Sequence, residues 1–331
     1  MKCLQTLVPL YIVLNCSSSL TVEGSTKRKN DDSTKNRGSG RTRHGHRQPP
    51  TNTEHNAVLF DTSNIRKSGR TYLDVLQVDL NNVISIDGSD KSRSLGHTLL
   101  NSEIKVDDVE ATGDTMFETV VTNFTSHIVS NGDTYDCNID QDQAEAPEEC
   151  APFYEFKGNT FHVVVDKYGN KTQLKEEDGV SLSAQLLALQ SIQQTERLMQ
   201  LIPTDVPMKS GSKHQVSEYF DDEMGHFQGV VSLDGFEKVH GAGECAVLTV
   251  SGSLDVNLDQ IKTKFFLVGA GDVKVTAARF SAKIWWDNTE GLIRSSSAAM
   301  TTDIDIKNSV LTSPMRSLIT EIVRLSSSVK S

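Results

Sequence analysis

Residues 181–203, SLSAQLLALQSIQQTERLMQLIP, determine how the rest of the chain is arranged. The apolar side chains recur at three- and four-residue intervals and fall near one face of a helix: Leu182, Leu186, Leu189, Ile192, Leu198 and Ile202. Polar side chains take much of the other face: Gln185, Gln193, Gln194, Glu196 and Arg197. Ser181 or Ser183 can cap the helix start, and Pro203 ends it. The stretch predicts one amphipathic helix of about 20 residues.

The segments on both sides of this helix read as β-strands. Met116–Val129 is a long run rich in β-branched residues. Two hairpins are predicted, Phe161–Leu174 around the turn Asp166–Gly169 and Val273–Ile306 around the turn Asp287–Gly291. Because strands follow one another with few helices between them, their pairing is predicted to be antiparallel. The predicted fold class is mainly β (α+β), with one or more curved antiparallel sheets packed by one long amphipathic helix.

The helix divides the chain. We predict a β-rich half at residues 57–180, the helix at 181–202 and a second β-rich half at 203–331. The two hairpins share their form, which favours either a duplicated β unit or the independent recurrence of common turn residues. A short C-terminal helix is also predicted after Pro314, because five apolar residues share one side of it: Met315, Leu318, Ile319, Ile322 and Val323.

The order of these elements resembles that of a group of secreted proteins. The helix is followed by Pro203, by a run of strands, by GECAVL at residues 243–248, and by the strand–Asp287-x-x-x-Gly291–strand hairpin. Over residues 160–306 this order resembles uncharacterised secreted β-rich proteins whose shape is similar to the half-barrels of lipoprotein carriers. The resemblance implies a half-barrel sheet and brings no catalytic residues with it.

The N-terminal region has the pattern of an exported protein. Residues 1–19 combine one Lys, an apolar run and small residues, which predicts a secretory signal peptide too short to span a bilayer. Residues 20–56 are polar and basic and are predicted to be a disordered tail.

The first 54 residues carry a net charge of +5, so the rest of the 331-residue chain carries −16. The basic run from Lys27 to Arg47 is a spacer, a removable propeptide or a polyanion-binding segment. The acidic body argues against nucleic acid as a partner. No later segment is long and apolar enough to be a membrane helix.

The cysteines fit a secreted or cell-surface location. Cys137 and Cys150 bracket a polar segment, and a disulfide between them is predicted in an oxidising compartment. Cys245 lies in an apolar run and is expected to be a buried free thiol. Two glycosylation sequons, at Asn123 and Asn170, agree with the same location.

An acidic loop and a tryptophan pair are the candidate binding residues. Asp136, Asn138, Asp140 and Asp142 copy the spacing of the first ligands of a calcium loop. The central glycine and the final glutamate of such a loop are missing, so the alternatives are loose Ca²⁺ binding and an ordinary solvated loop. Trp285 and Trp286 are adjacent in a predicted strand, so their side chains should face opposite sides. They either pack in the sheet or form a wall for a lipid or glycan ligand.

The sequence carries no signature of a known catalytic class: His-Glu-x-x-His, Gly-x-Ser-x-Gly, a P-loop and Cys-x-x-Cys are all missing. No catalytic residue and no cofactor other than loosely bound calcium is therefore predicted. The predicted function is non-enzymatic binding of an apolar or amphipathic ligand in the concave face of the sheet. The alternatives are a cell-surface or extracellular-matrix structural protein, whose basic tail binds polyanions, and a hydrolase with an unrecognised site.

Overall fold

The computed structural model describes residues 57–130, 132–147, 150–167, 172–174, 181–220, 225–256, 272–307 and 315–330. The predicted signal peptide at 1–19, the basic tail at 20–56 with its run from Lys27 to Arg47, and the sequon at Asn170 lie outside these ranges. Predictions about them stay predictions.

The protein is built mainly of long strands. The strands are β1 (Thr71–Ile86), β2 (Ser89–Val109), β3 (Thr115–Ser130), β4 (Asp133–Asn138), β5 (Phe161–Val165), β6 (Thr172–Leu174), β7 (Lys213–Phe220), β8 (Gly225–Lys238), β9 (Glu244–Val256), β10 (Asp272–Asp287), β11 (Leu292–Lys307) and β12 (Met315–Val329). The helices are a short 3₁₀ helix (Gln143–Glu145), α1 (Ala151–Tyr154), α2 (Leu182–Ala188) and α3 (Gln190–Gln200).

All twelve strands belong to one curved, unclosed antiparallel sheet. Its order is β6-β5-β3-β2-β1-β12-β11-β10-β9-β8-β7, and β4 pairs with β3 beside this path. The sheet therefore consists of two meanders, β1–β6 and β7–β12, joined at its centre where β1 pairs with β12. The predicted mainly β fold class, with its antiparallel pairing, is confirmed.

The helices connect opposite edges of this sheet. The chain leaves β6 at one edge, forms α2 and α3, and enters β7 at the other edge. Along this path α3 packs on the two central strands, β1 and β12. A link between opposite edges of a curved sheet is shortest on the concave side. We therefore call the face that carries α2 and α3 the inner face, and the opposite face the outer face.

The predicted helix is present and is divided at Leu189. Ser181 caps its start, and the Ser181 hydroxyl accepts a hydrogen bond from the Ala184 amide at 3.3 Å. Leu189 ends α2 and begins α3, so the helical stretch is two consecutive segments. Pro203 follows shortly after α3, as predicted.

The predicted C-terminal helix is wrong, because this segment forms strand β12. Met315, Ser317 and Ile319 are buried, whereas Leu318 is 40% exposed. This alternation has the two-residue period of a strand with one covered face. The apolar pairs in the segment suit a helix equally well, but pairing with β1 and β11 on both sides determines the outcome.

Both predicted hairpins form, at different places in the sheet. The pair β5–β6 lies at one edge, and the pair β10–β11 lies inside the second meander. Both meanders run across the sheet in the same direction, which is the arrangement that a duplicated unit predicts. The duplication itself stays a prediction.

Candidate functional site

The inner face carries alternate residues of each strand. On β1, Tyr72, Asp74 and Leu76 are buried on this face, while Leu73 and Val75 on the outer face are 41% and 38% exposed. The cross-strand partners of the inner-face residues form rows that run across the sheet. The candidate site is built from these rows and from the helices that cover part of them.

Near the ends of β1 and β12 that lie under α3, the inner face is filled by protein. The helical stretch contributes apolar residues to one large core: Leu189, Ile192, Leu198, Met199, Leu201 and Ile202. Opposite them lie sheet residues such as Ile104, Leu248 and Ile284, all of which are buried. This packing supports the sheet and leaves little room for a ligand beneath the helix.

One small cavity lies between the helix and the sheet, with a volume of about 30 Å³. Its lining includes Asp74 and Ser327 from the sheet and Thr195 and Glu196 from α3. A cavity needs roughly 10–15 Å³ to hold one water molecule, so this cavity can hold one or two. The buried Thr195 hydroxyl makes no hydrogen bond in the described part of the chain, so it provides a polar partner for such a water.

Asp74 is the most unusual ionisable group of this region. Burial raises the pKa of its carboxyl from 3.8 to about 6, although a hydrogen bond from Ser327 acts against the shift. The Ser327 hydroxyl donates this bond to Asp74 Oδ1 at 2.6 Å. Burial penalises the charged carboxylate because few dipoles replace its hydration. Asp74 therefore changes its charge near pH 6.

Glu196 is the second buried carboxylate beside the cavity. Burial raises its pKa, and the guanidinium of Arg66 acts in the opposite direction. Arg66 pairs with Glu196 at 2.5 Å, and the two side chains are only 14% and 6% exposed. Arg66 also donates to the Asp166 carbonyl at 2.6 Å, which holds the loop after β5 against the helix. This buried pair connects α3 to the segment before β1 and to the loop after β5.

Farther along the strands, the inner face carries further apolar side chains, several of which are only half-buried. One row runs from Leu80 on β1 through Glu321 to Met300 on β11 and Phe280 on β10. Leu80, Met300 and Phe280 are half-buried. Beyond this row a separate apolar cluster, which contains no helix residue, is formed by Ile84, Ile86, Ile304 and Met315. We call the half-buried apolar residues of the two sets the open apolar surface, and they are Leu80, Ile86, Phe280, Met300 and Ile304.

The two tryptophans face opposite sides of the sheet, as their adjacency predicts. Trp286 is fully buried on the inner face and packs edge-to-face against Phe60 with ring centroids 6.0 Å apart. Trp285 lies half-buried on the outer face, and its ring nitrogen donates to Glu237 at 2.7 Å. The Lys283 ammonium lies 4.6 Å from the centre of the Trp285 ring. Trp286 is part of the core, and a ligand-wall role for Trp285 stays a prediction.

The predicted disulfide joins Cys137 and Cys150. It attaches the end of β4 to the start of α1, and both cysteines are buried in a cluster with Phe124 and Phe156. Cys245 is a buried free thiol, as expected, and burial raises its pKa. Asn123 lies on β3 and is half-buried. Its glycosylation stays a prediction.

The four candidate calcium ligands make local contacts. Asp136 Oδ1 lies within hydrogen-bond distance of His127 Nδ1, at 2.6 Å. Asn138 accepts from the Asp140 amide at 2.9 Å, and Asp142 accepts from the Ala144 amide at 3.1 Å and caps the 3₁₀ helix. Among the residues with described positions, no group of three or more His, Cys, Asp or Glu side chains could hold a metal ion. Calcium binding here stays a prediction.

One serine–histidine contact bears on the alternative of a hydrolase. The Ser217 hydroxyl lies 2.9 Å from His226 Nε2 on the exposed surface of β7 and β8. The other ring nitrogen of His226 faces the Gln228 side-chain amide at 3.4 Å. In a catalytic triad this position belongs to a carboxylate that orients the imidazole. Among the residues with described positions, the contact therefore lacks the orienting carboxylate of a triad.

The buried carboxylates were not identified from the sequence as site residues. Glu196 was placed on the polar face of the helix with Gln185 and Gln193, yet all three are buried. Asp74 sits at the middle of the alternating run Tyr72–Leu76, on the same face as two apolar residues. The sequence signal that could have identified Asp74 is an acidic residue at a buried position of a strand whose neighbouring buried positions are apolar.

None of the helices in the described ranges is long and apolar enough to cross a membrane.

No protein-family model matches the sequence, and no curated protein matches it. Among solved structures, the chain has a weak resemblance to lipovitellin, in a structure described for its lipid–protein interactions, with a TM-score of 0.47 and 8% identity. The match covers 80% of this chain and 26% of the lipovitellin chain, so this protein spans about a quarter of that chain's length. DynF from Micromonospora chersina gives a TM-score of 0.19 at 8% identity, covering 87% of this chain and 92% of DynF. OccK5 (OpdH) from Pseudomonas aeruginosa gives 0.19 at 8% identity, covering 79% of this chain and 98% of OccK5.

Proposed function

We propose that this is a secreted, non-enzymatic protein that binds an apolar or amphipathic ligand on the inner face of its sheet. The observation that carries the proposal is the open apolar surface. Leu80, Met300 and Phe280 are only half-buried, although they lie on the same face as the packed core. Apolar surface left partly uncovered on a concave face is the usual lining of a site for an apolar ligand.

The ligand would lie on this open surface and not beneath the helix. The helix–sheet cavity has about 30 Å³, whereas sites for small organic ligands have roughly 300–1,000 Å³. Polar side chains lie between the apolar residues of the open surface, and they are Asn82, Thr302 and the carboxylate of Glu321. This mixture favours an amphipathic ligand over a pure hydrocarbon.

Secretion is the second part of the proposal. The Cys137–Cys150 disulfide supports it, because disulfides persist in oxidising compartments. The signal-peptide pattern of residues 1–19 and the two sequons support the same location. Expression of the full chain in secreting cells, with N-terminal sequencing of the medium fraction, tests it. Retention of the intact N-terminus inside the cell would contradict it.

Ligand binding can be tested with two leucines on one strand. The protein is purified from secreting cells, and bound lipids are extracted and identified by mass spectrometry. The affinity of a fluorescent fatty-acid analogue is then compared for Leu80→Gln, on the inner face of β1, and Leu73→Gln, on its outer face. We expect Leu80→Gln to weaken binding about 5-fold and Leu73→Gln to leave it unchanged, because a ligand would cover the exposed half of Leu80 and complete burial of a leucine contributes about 1.5–3 kcal/mol. Equal affinities for the two variants, or no binding by the wild-type protein, would refute the proposal.

A further inference from the structure

Four ionisable side chains form a row across the outer face. Asp136 on β4, His127 on β3, His97 on β2 and Asp79 on β1 are each the cross-strand partner of the next. The two histidines are therefore neighbours, and each has a carboxylate on its far side. The row is separate from the open apolar surface, because it lies on the other face of the sheet.

Each carboxylate binds the same ring nitrogen of its histidine. His97 Nδ1 lies 2.6 Å from Asp79 Oδ1, and His127 Nδ1 lies 2.6 Å from Asp136 Oδ1. An ionised carboxylate can only accept a hydrogen bond, so each Nδ1 carries the proton. In the neutral ring the lone pair is then on Nε2, which points away from the carboxylate. Within the described ranges, neither Nε2 makes a hydrogen bond that would occupy it.

These features together are those of a metal-binding histidine pair. Side chains directly opposite on antiparallel strands have Cβ atoms about 4.5–5.5 Å apart, a separation that one ion can bridge at Zn–N distances of about 2.0–2.1 Å. A carboxylate on the other ring nitrogen is the usual outer partner of a metal-bound histidine, and it raises the basicity of the ligand. The imidazoles are 51% and 52% exposed, so an ion can reach them.

We propose that His97 and His127 form a surface site for a divalent transition-metal ion, with Zn²⁺ as the first candidate and water molecules completing its coordination. Asp79 and Asp136 orient the two rings and offset part of the charge of the ion. Arg324 pairs with Asp79 and holds that carboxylate in place. Because only two ligands come from the protein, the site is of the exchangeable kind and not a closed structural site.

The test uses the full-length protein, stripped of metal, and ZnCl₂ as the probe in isothermal titration calorimetry. His44 and His46 in the tail could also bind zinc, so every protein carries His44→Gln and His46→Gln. We expect one Zn²⁺ per chain, at least about 10-fold weaker binding after His97→Gln or His127→Gln, and no change after the control His240→Gln. Asp136→Asn should weaken binding about 10-fold, which is the usual effect of losing the outer partner. Circular dichroism establishes that each variant is folded.

A second measurement reports on the nitrogen atoms themselves. In long-range ¹H–¹⁵N spectra of the imidazoles, Zn²⁺ should shift the Nε2 resonances of His97 and His127 and leave Nδ1 protonated. Zinc binding that persists unchanged in the His97→Gln/His127→Gln double variant would overturn the proposal. So would a titration that shows no zinc binding by the parent protein.

Discussion

Ser327 on the last strand donates a 2.6 Å hydrogen bond to the buried carboxylate of Asp74 on the first strand. The two residues are cross-strand partners at the centre of the sheet, where β1 and β12 join the two meanders. The bond satisfies one oxygen of the carboxylate but does not replace its hydration. A carboxyl group with a pKa of about 6 therefore lies where the two meanders pair.

The first prediction concerns the pH dependence of stability. The pKa of Asp74 is about 6 in the folded protein and close to 3.8 in the unfolded chain. Between these values the folded state binds more protons, so the Asp74 contribution to the free energy of unfolding decreases as pH rises toward 7.5. The decrease from pH 4.5 to 7.5 is about 2 kcal/mol. Asp74→Asn should remove this component, as measured by urea unfolding at the two pH values.

Asp79 provides the matched control on the outer face of the same strand. Partial burial acts to raise its pKa, but hydrogen bonds from His97 and Arg324 lower it overall. Its contribution to stability is thus present above the unfolded pKa and is lost as pH falls through the lower, folded pKa, the opposite sign to Asp74. Asp79→Asn should therefore leave the Asp74 component of the pH dependence in place. If Asp74→Asn and wild type lose stability equally between pH 4.5 and 7.5, the assignment to Asp74 is wrong.

The second prediction concerns the buried ion pair of the helix. Arg66→Met leaves the Glu196 carboxylate buried without a partner, which should lower the free energy of unfolding by about 3–5 kcal/mol. The double variant Arg66→Met/Glu196→Leu should recover most of this loss, because no charge then remains buried. The exposed pair of Lys330 and Glu103, 49% and 34% exposed, is the control. Lys330→Met should cost less than about 1 kcal/mol, and a similar cost for both pairs would contradict the prediction.

The third prediction concerns a glycine on β9. A methyl group on Gly252 would overlap the Gln228 carbonyl oxygen and lie 2.6 Å from ring carbons of Phe227. Gly252→Ala should destabilise the fold by about 3 kcal/mol, the upper range for overpacking, because a backbone atom must move. At Gly243 a methyl group meets nothing within 4 Å, so Gly243→Ala serves as the control. Thermal unfolding measures both variants, and equal midpoints would show that β8 and β9 can separate without cost.

The fourth prediction concerns the disulfide. Its two cysteines are 13 positions apart and anchor the cluster that contains Phe124 and Phe156. Cys137→Ala/Cys150→Ala should lower the free energy of unfolding by about 3 kcal/mol, because the unfolded chain regains the freedom of an open loop. The buried thiol Cys245 should stay unreactive toward iodoacetamide in the native protein. Equal stability of the double variant and the wild type would show that this loop is held by packing alone.

The long elements could be predicted because a single period dominates each of them. The helical stretch combines a three- and four-residue apolar period with a capping Ser181 and a terminating Pro203, and the structure reproduces it. Trp285 and Trp286 take opposite faces because adjacent strand residues must do so. Cys137 and Cys150 were predicted to pair because they bracket one short polar segment.

The remaining features depend on contacts between distant parts of the sequence. β12 was assigned as a helix because its own pattern fits two periods, and only its pairing with β1 and β11 decides between them. Gln193 and Glu196 look like solvent-facing residues, yet both are buried, and Arg66 pairs with Glu196. The open apolar surface likewise exists only because two separate meanders place Leu80, Met300 and Phe280 in one row.

The pairing of β1 with β12 has a consequence for synthesis on the ribosome. Asn82 and Ser317, which share a hydrogen bond across this pair, are 235 positions apart. A nascent chain that has produced the first meander must therefore wait for most of the remaining translation before β1 acquires its second neighbour. During that interval a long strand has a free backbone edge, which is a template for intermolecular aggregation. Efficient biogenesis of this protein should thus depend on a chaperone that shields β1 until β12 emerges.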